Sequence, residues 1–460
     1  MSKLILFTVV LVSLAEVSAS GLFANASGEE PGNGNPILPG YYADPSIVSY
    51  QDTYYIYATI DPWGGETLAC WESKDFKNWT LHQLNWPTKE ACTSPSSMGA
   101  MVWAPSVVQA PDGKFYMHVS VGSEVWVGVA EHPLGPWENP LGDQPMISAD
   151  FAKEYHMIDA QAFVDDDGNA YLYWGSGWNW TNGRCFAAKL NPDMASFDGE
   201  VKDVTPSNYF EAPVMVKRDE RYFLMYSNGK TTIDTYQVHY AIGDSPLGPF
   251  KEAKNSPILV TDHARNILSP GHHTVFEQDG QHYILYHRHN IPFEPVHRQI
   301  CVDELNFTHD GLIETVTPTH QGPSLIANRR EDRRPIPSIA TASSRRDERV
   351  RAAHAIDDNY ATRWEAAAND SLPTLQLEFT SVTTVSKQEL IPQFGWKPQL
   401  FRIESSIDGK QWETVADFTK NPVIGSPIAI EKPVSCKYLR IQFSGSEESH
   451  TASLFEWLAY

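Results

Sequence analysis

Short runs of aromatic and aliphatic residues recur along the chain at nearly regular intervals. Turn-forming residues, chiefly Asp, Gly, Gln and Arg, stand directly before each run. Short apolar runs bounded by turn residues predict β-strands joined as hairpins. Helical periodicity is nowhere sustained, so the pattern predicts an all-β fold. The five runs are residues 54–57, 115–118, 171–174, 222–226 and 283–286.

The repeat favours one particular all-β architecture. Its period suits one four-stranded blade, and five such units fit a five-bladed β-propeller. In that fold the first strand of each blade lines a central channel, so residues at matched offsets on those strands are expected to converge near its axis. We place this domain at residues 35–327.

The last third of the chain is punctuated differently. Short stretches of alternating apolar and polar residues separated by turns predict a β-sandwich over residues 338–460. Residues 328–337 are the predicted linker between the two domains. The stretch 329–351 contains eight arginines in an otherwise acidic chain. We interpret it as an exposed junction that runs into the second domain, rather than as a nucleic-acid-binding arm.

The first residues predict export from the cell. Lys3 precedes an apolar run at residues 4–15, and small residues follow at 17–20. This run is too short to span a bilayer, so residues 1–20 are a predicted signal peptide and residues 21–34 a flexible leader. The mature protein is expected to be secreted, extracellular or periplasmic, and to have no transmembrane segment.

Charge and cysteine spacing narrow the classes of ligand. The formal net charge of −22 argues against nucleic acid or an anionic membrane, because phosphate binding depends on clustered Lys and Arg. A neutral substrate fits better. The five cysteines lie far apart and form no CxxC pair, which disfavours a zinc cluster. Cys70 and Cys92 are a candidate disulfide.

Three acidic residues stand at the same offset ahead of the predicted strands: Asp44, Asp159 and Glu211. The other two units have Ala104 and His272 at that offset. Hydrolysis of a glycosidic bond needs a carboxylic acid to protonate the leaving oxygen and a carboxylate to activate water or to attack. Asp44 has no basic sequence neighbour and is suited to remain ionised. The apolar neighbours of Glu211 are expected to raise its pKa.

The segments around these carboxylates resemble glycoside hydrolase family 43, five-bladed propeller enzymes that act on arabinan, xylan and related side chains. The resemblance implies that Asp44 is the general base, that Glu211 is the general acid, and that Asp159 tunes the pKa of the acid and orients it. The matching segments are Ala-Asp-Pro-Ser at 43–46, Ile-Asp at 158–159 and Glu-Ala-Pro at 211–213.

Three motifs stand out in the second domain, at residues 357–364, 406–412 and 438–441. With these motifs the domain resembles discoidin-like domains of the coagulation factor 5/8 type C kind, which are jelly-roll β-sandwiches. Such domains bind sugars, lipids or proteins, or only pack against a neighbouring domain, so the ligand stays open.

The resemblance implies a secreted, inverting glycoside hydrolase that acts on the O-glycosyl bonds of oligo- or polysaccharides of plant type. An α-L-arabinofuranosidase is the first expectation. A β-xylosidase or a galactosyl or galactofuranosyl hydrolase of the same family is the enzymatic alternative, and a catalytically inactive carbohydrate-binding propeller is the non-enzymatic one. The sequence leaves exo and endo action open.

Further residues are expected around the carboxylates. Trp63 and Trp103 are candidate flat surfaces for a sugar ring, and Arg288 resembles a family residue that reaches the bound sugar. By the same resemblance, His272 lies under the active site and helps to hold a calcium ion or a water cluster in the channel. The alternative for His272 is a buried, hydrogen-bonded histidine. No cofactor is expected to be required.

Overall fold

The computed structural model describes residues 33–289, 297–327, 329, 333–444 and 451–460. Within them the regular structure is antiparallel β-sheet, with two short 3-10 helical turns at Ser324–Ile326 and Ala352–Ala355. None of the helical segments in these residues is long and apolar enough to cross a membrane. The predicted signal peptide at residues 1–20 and most of the predicted leader lie outside the described residues.

The first part of the chain forms five antiparallel sheets, each built from strands that are consecutive in sequence. The first sheet contains β1 (Tyr42–Tyr50), β2 (Thr53–Ile60), β3 (Ala69–Ser73) and β4 (Thr80–His82). The second contains β5 (Val102–Gln109), β6 (Phe115–Val121) and β7 (Glu124–Ala130). The third contains β8 (Gln161–Val164), β9 (Ala170–Trp174), β10 (Phe186–Leu190) and β11 (Lys202–Asp203). The fourth contains β12 (Glu211–Arg218), β13 (Arg221–Asn228), β14 (Gln237–Gly243) and β15 (Lys251–Glu252), and the fifth contains β16 (Gly271–Gln278), β17 (Gln281–His289) and β18 (Arg298–Leu305).

The five aromatic runs predicted from the sequence form the second strand of each sheet, namely β2, β6, β9, β13 and β17. These strands are buried along most of their length, as a continuous apolar run requires. Their large side chains pack between adjacent sheets. Five hydrophobic clusters lie between the first and second, second and third, third and fourth, fourth and fifth, and fifth and first sheets.

The first strands β1, β5, β8, β12 and β16 contact one another in this order, and β16 contacts β1 in turn. The start of the described chain is attached to the last sheet. The backbone N–H of Ile37 donates to the carbonyl of Ile300 at 2.9 Å. The side-chain amide of Asn35 both donates to and accepts from the backbone of Val302. The start and the end of this part of the chain are therefore held together.

The second part of the chain is a β-sandwich. Its strands are β19 (Ser338–Ala342), β20 (Trp364–Glu365), β21 (Thr374–Val385), β22 (Gln388–Pro392), β23 (Phe401–Ser406), β24 (Glu413–Asp417), β25 (Ile428–Ile430), β26 (Val434–Phe443) and β27 (Ser453–Ala459). One sheet has the order β19-β21-β26-β23-β24 and the other the order β20-β27-β22-β25. A single hydrophobic cluster that includes Trp364, Phe401 and Trp457 is enclosed by the two sheets.

The arginine-rich stretch between the two parts is exposed only in part: Arg345, Arg349 and Arg351 are exposed, as its composition suggested, but Arg329 and Arg333 are not. Arg329 is buried, and Arg333 donates to Asp358 at 3.1 Å and to the hydroxyl of Tyr360 at 2.8 Å. The guanidinium of Arg329 lies 4.0 Å from the centre of the Tyr360 ring. Arg333 also donates to Asn78 of the first part. Arg333 thus connects the two parts of the chain. Asp358 supplies the negative charge that permits both arginines to be buried.

The candidate disulfide between Cys70 and Cys92 is absent. Both residues are free, buried thiols, as are the other three cysteines of the chain. Burial raises the pKa of the Cys92 thiol to about 12. These cysteines act as small apolar side chains of the core.

We expect Asp358→Asn to destabilise the protein by about 3–5 kcal/mol, because it leaves two buried guanidinium groups without their carboxylate. Asparagine suits the left-handed backbone of this position, φ 56°, so the change mainly removes charge. The matched control is Asp417→Asn, which breaks an exposed ion pair with Arg402 and is expected to cost below about 1 kcal/mol. Denaturant unfolding of both variants measures the difference, and equal losses would contradict the role of Asp358.

Candidate active site

Four of the five first strands carry a β-bulge near their start. The residue at each bulge has a left-handed backbone, and Asp159, just before β8, shares this conformation with a φ of 58°. Non-glycine residues rarely adopt positive φ, and bulges redirect side chains, so the strained residues mark one functional end of the sheets. The bulge residues are Asp44 (φ 54°), Ala104 (φ 46°), Ala212 (φ 55°) and His272 (φ 40°).

The sequence offset suggested that Glu211 occupies the same backbone position as Asp44 and Asp159. The structure shows that it does not. The left-handed residue of its strand is Ala212, which corresponds to Asp44 and Asp159. Glu211 precedes the bulge by one residue and is the first residue of β12. In the sequence, Ala212-Pro213 matches Asp44-Pro45. This match indicates that Ala212, and not Glu211, is equivalent to Asp44.

The amide of each of four left-handed residues donates to a side chain on the second strand of the preceding sheet, with the fifth sheet preceding the first. The donors and acceptors are Asp44 N to His287 Nδ1, Ala104 N to Thr59 Oγ1, Asp159 N to Ser120 Oγ, and His272 N to Ser227 Oγ, at 2.8 to 3.3 Å. These bonds satisfy the amides that the bulges free from the ladder. They also fix the backbone that carries the functional side chains.

Asp44 is buried and surrounded by positive and donor groups. Its Oδ1 lies 3.0 Å from Nη1 of Arg298 and 3.1 Å from Nδ1 of His272, and its Oδ2 accepts from the hydroxyl of Thr59 at 2.7 Å. Burial alone would raise the pKa of Asp44. The charges of Arg298 and His272, with a hydrogen bond from His272, outweigh burial and hold this pKa well below its usual value. Asp44 is therefore ionised.

The pKa of Glu211 is shifted in the opposite direction to that of Asp44. Burial raises its pKa, although hydrogen bonds from Tyr236 and Ser176 favour the charged form. The hydroxyl of Tyr236 donates to Oε1 at 2.6 Å, and the hydroxyl of Ser176 donates to Oε2 at 3.0 Å. The negative charge of Asp44 raises the pKa of Glu211 further. Two carboxyl groups of one site thus differ in their affinity for a proton.

Asp159 and His272 complete the charged group. Burial raises the pKa of Asp159 to about 8, and the charges of Glu211 and Asp44 add to this effect. Burial would lower the pKa of His272, but Asp44 and Asp159 raise it to about 9. Nδ1 of His272 lies 3.7 Å from Oδ2 of Asp159. His272 is therefore a cation that offsets the charge of the buried carboxyls.

Asp44, Asp159, Glu211 and His272 together line one cavity of about 380 Å³. Aromatic side chains make up much of the remaining wall, and the cavity has the size and lining of a small-molecule site. They are Trp63, Trp103, His156, Trp178, Trp180 and Phe210. Both tryptophans predicted to contact a sugar, Trp63 and Trp103, thus lie at the cavity.

Arg288, the arginine predicted to reach the sugar, lies elsewhere. It is buried, and its guanidinium donates to the carbonyls of Thr319 and Asn35 and contacts His320. Successive residues of a strand point to opposite faces. His287 faces Asp44, so the side chain of Arg288 is directed away from the cavity.

The arginine that lines the cavity is Arg298, which the sequence reasoning missed. Besides Asp44, it forms a two-pronged ion pair with Asp61, with 2.6 Å from Nη2 to Oδ1 and 3.0 Å from Nε to Oδ2. Its guanidinium lies 4.9 Å from the centre of the Trp63 ring. Arg298 begins β18, far beyond Asp44 in the sequence, and no offset in the repeat marks it.

His272 fits a metal ion poorly. Its Nδ1 already contacts two carboxyl groups, those of Asp44 and Asp159. Calcium takes six to eight oxygen ligands. In the part of the chain that the structure describes, no group of three or more His, Cys, Asp or Glu side chains is placed to hold a metal.

A carboxylate with a lowered pKa and a carboxyl group with a raised pKa, facing one aromatic-lined cavity on an all-β scaffold, are the groups that a glycoside hydrolase needs. Comparison with known proteins agrees with this class. The chain matches the family model Glycosyl hydrolases family 43 over residues 33–313 and the model F5/8 type C domain over residues 339–457. It therefore belongs to glycosyl hydrolase family 43 and carries an F5/8 type C domain, which confirms both resemblances seen in the sequence.

Three similar proteins illustrate the relationship. A β-D-galactofuranosidase of Aspergillus niger is 35% identical over 306 residues, which cover 63% of this chain and 86% of that protein. An arabinoxylan arabinofuranohydrolase of Bacillus subtilis is 25% identical over 378 residues, which cover 70% and 72% respectively. A solved structure described as a glycoside hydrolase has a TM-score of 0.80 at 28% identity, and the match covers 94% of this chain and all of that one.

Proposed function

We propose that the protein is a secreted inverting glycosidase that removes α-L-arabinofuranosyl groups from plant-type polysaccharides. The observation that carries the proposal is the opposite proton affinity of Asp44 and Glu211 across one cavity. Asp44 is the general base and Glu211 the general acid. Asp159 and His272 set the electrostatic environment of these two carboxyls.

The scaffold in this proposal is a five-bladed propeller at residues 35–327, a linker at 328–337 and a discoidin-like domain at 338–460. The cyclic order of contacts among the five first strands and the hydrophobic cluster between the fifth and first sheets support it. Secretion rests on the predicted signal peptide at residues 1–20. N-terminal sequencing of protein recovered from the culture medium tests both the export and the cleavage site.

The reaction follows from the hydrogen bonds of the two carboxyls. Oδ2 of Asp44, which accepts from Thr59, has a further lone pair with which to take a proton from water. That water attacks the anomeric carbon while Glu211 protonates the departing oxygen on the opposite face. Tyr236 and Ser176 hold the carboxyl of Glu211 in place and stabilise the carboxylate that remains after proton transfer.

Inversion requires the two carboxyl groups to stand roughly 6.5–9.5 Å apart, so that a water fits between the base and the sugar. Proton NMR during hydrolysis identifies the anomer that forms first. The β-anomer from an α-arabinofuranoside is the expected product. An α-anomer would replace the proposed mechanism with a retaining one.

The glycone has a second candidate, because the A. niger relative at 35% identity is described as a β-D-galactofuranosidase. The ring hydroxyls of β-D-galactofuranose and α-L-arabinofuranose have the same configuration, and the hexose only has a longer exocyclic chain. A cavity that accepts one of these rings can thus resemble a cavity for the other. β-D-Xylosyl groups are the remaining alternative within the family.

A panel of 4-nitrophenyl glycosides of α-L-arabinofuranose, β-D-galactofuranose and β-D-xylopyranose tests the assignment. The highest kcat/KM is expected on the arabinofuranoside. A higher value on the galactofuranoside would transfer the assignment to the second candidate. Lack of turnover on every glycoside and on arabinoxylan would favour a carbohydrate-binding propeller without activity.

We expect the acid limb of the pH profile of kcat/KM to lie at lower pH than an ordinary aspartate would give, and to depend on Arg298. Asp44 must be ionised, so activity is lost as pH falls through its lowered pKa. Arg298→Gln removes a cation that lowers this pKa, and therefore moves the acid limb to higher pH. Arg298→Lys keeps the cation and leaves the limb low, although losing the forked contact with Asp61 reduces kcat/KM about tenfold or more.

The contrast between the two arginine variants separates electrostatics from packing. A general loss of structure would lower the rate in both without moving the limb in one alone. Identical limbs for the Gln and Lys variants would show that Arg298 does not control Asp44.

A further inference from the structure

The segment of residues 175–183 brings two exposed tryptophans to the rim of the cavity. Trp178 is 45% exposed and Trp180 is 36% exposed, and both line the cavity that contains the carboxyls. Large aromatic side chains left open to solvent inside a cavity are typical of a binding surface. The reaction steps above involve neither of them.

The ring of Trp178 is held by a neighbour. It stacks on His156 with 4.2 Å between ring centres and an angle of 20° between the planes. His156 is fixed in turn, because its Nε2 donates to the carbonyl of Gly122 at 3.1 Å. Trp103 also contacts this histidine, with its ring centre 5.9 Å from that of His156. The three rings form one continuous aromatic wall.

The segment is folded tightly enough to hold this wall still. The backbone N–H and the hydroxyl of Thr181 both donate to the carbonyl of Trp178, at 3.1 and 2.9 Å. A Cβ atom at Gly177 would lie 1.8 Å from the carbonyl oxygen of Thr181, so only glycine fits there. Trp180 has a left-handed backbone with a φ of 57°. Strain of this kind is retained where the surrounding structure fixes a functional shape.

Both ends of the segment are tied to the proposed acid. Ser176 donates to Glu211. A Cβ atom at Gly183 would lie 2.2 Å from the carbonyl oxygen of Phe210, so the backbone packs directly against the residue before Glu211. Asp44, in contrast, is held by Arg298, whose guanidinium covers Trp63. The segment that carries Trp178 thus lies on the acid side of the cavity, where the leaving oxygen must lie.

We propose that Trp178, positioned by His156, is the platform for the sugar that departs, and that this sugar is a pyranosyl unit of the polysaccharide backbone. The inference rests on the proposed roles of Glu211 and Asp44. The chair of a pyranose presents a flat face of C–H groups that matches a fixed indole ring.

Two substrates with the same glycone test the platform. One is a xylo-oligosaccharide with a single arabinofuranosyl substituent, and the other is the methyl arabinofuranoside, whose leaving group is too small to reach Trp178. Both leaving groups are alkoxides that need the proton of Glu211. We expect Trp178→Ala to lower kcat/KM about tenfold or more on the oligosaccharide and to leave the methyl glycoside within about twofold.

Further variants sharpen the result. Trp178→Tyr keeps a flat ring and is expected to restore most of the lost kcat/KM on the oligosaccharide. His156→Ala, which removes the support of the ring, should show the same selective loss as Trp178→Ala. The matched control is Trp412→Ala in the second domain, which should alter neither substrate. Unsubstituted xylotriose should inhibit the wild type more strongly than the Trp178→Ala variant.

The outcomes separate this inference from the function on which it rests. An equal loss on both substrates would overturn the platform and place Trp178 against the glycone or in the framework. The proposed function would instead be refuted if the wild type turned over neither of these substrates nor the corresponding pair with a galactofuranosyl group in place of arabinofuranosyl.

Discussion

Glu211→Ala is expected to lower kcat on the methyl arabinofuranoside by about 10³- to 10⁴-fold, the upper part of the range for loss of a general acid. The same change should lower kcat only slightly on a 2,4-dinitrophenyl glycoside, whose leaving group departs without a proton. Burial raises the pKa of Glu211, so the proton is present at the pH where Asp44 is already ionised. Measuring kcat for both leaving groups in wild type and variant checks the role.

The pH profile gives a second readout for the same variant. In the wild type, activity falls at high pH as the acid loses its proton, and that limb should disappear for the dinitrophenyl glycoside in the Glu211→Ala variant. The matched control is Glu200→Ala, which should leave both rates unchanged because Glu200 is exposed to solvent. A large loss that is equal for the two leaving groups would mean that Glu211 does not donate the proton.

The fold was largely predictable from the sequence, because the repeated apolar runs determine how the units pack. An apolar run that recurs once in every unit can only be buried if each unit packs against its neighbours, so the five second strands were evident from the sequence. The burial of Arg329 was not evident. It depends on Asp358 and Tyr360, which lie further along the chain, and composition alone made the stretch look exposed.

The carboxyls of the cavity were predictable for the same reason, because a repeat places equivalent residues at equivalent ends of the strands. The limits of this logic are visible at β12, where Glu211 precedes the bulge that Asp44 occupies in β1. Arg298 could not be found in this way, because it enters from β18 and no other unit has a counterpart. Choosing Arg288 instead overlooked the alternation along β17 that turns His287 to the site.

Asp44→Gly should lower kcat by about 10³-fold or more on every substrate, whatever its leaving group, because the attacking water loses its base. Glycine accepts the left-handed backbone of this position without strain, so the change tests the carboxylate rather than the bulge. The comparison with Glu211→Ala is decisive, since only loss of the base is insensitive to the leaving group. Rates on the methyl and dinitrophenyl glycosides measure this difference.

Small anions give the final test of Asp44. Removing its side chain opens space beside His272 and the cation Arg298, where azide can bind and attack the anomeric carbon. Added azide should restore part of the rate on the dinitrophenyl glycoside and yield a glycosyl azide of inverted configuration. The control is Ala104→Gly, which makes the same backbone change at the equivalent bulge of β5 and should keep full activity. An azide product of retained configuration would show that Asp44 faces the other side of the sugar, and the assignment of the base would then be wrong.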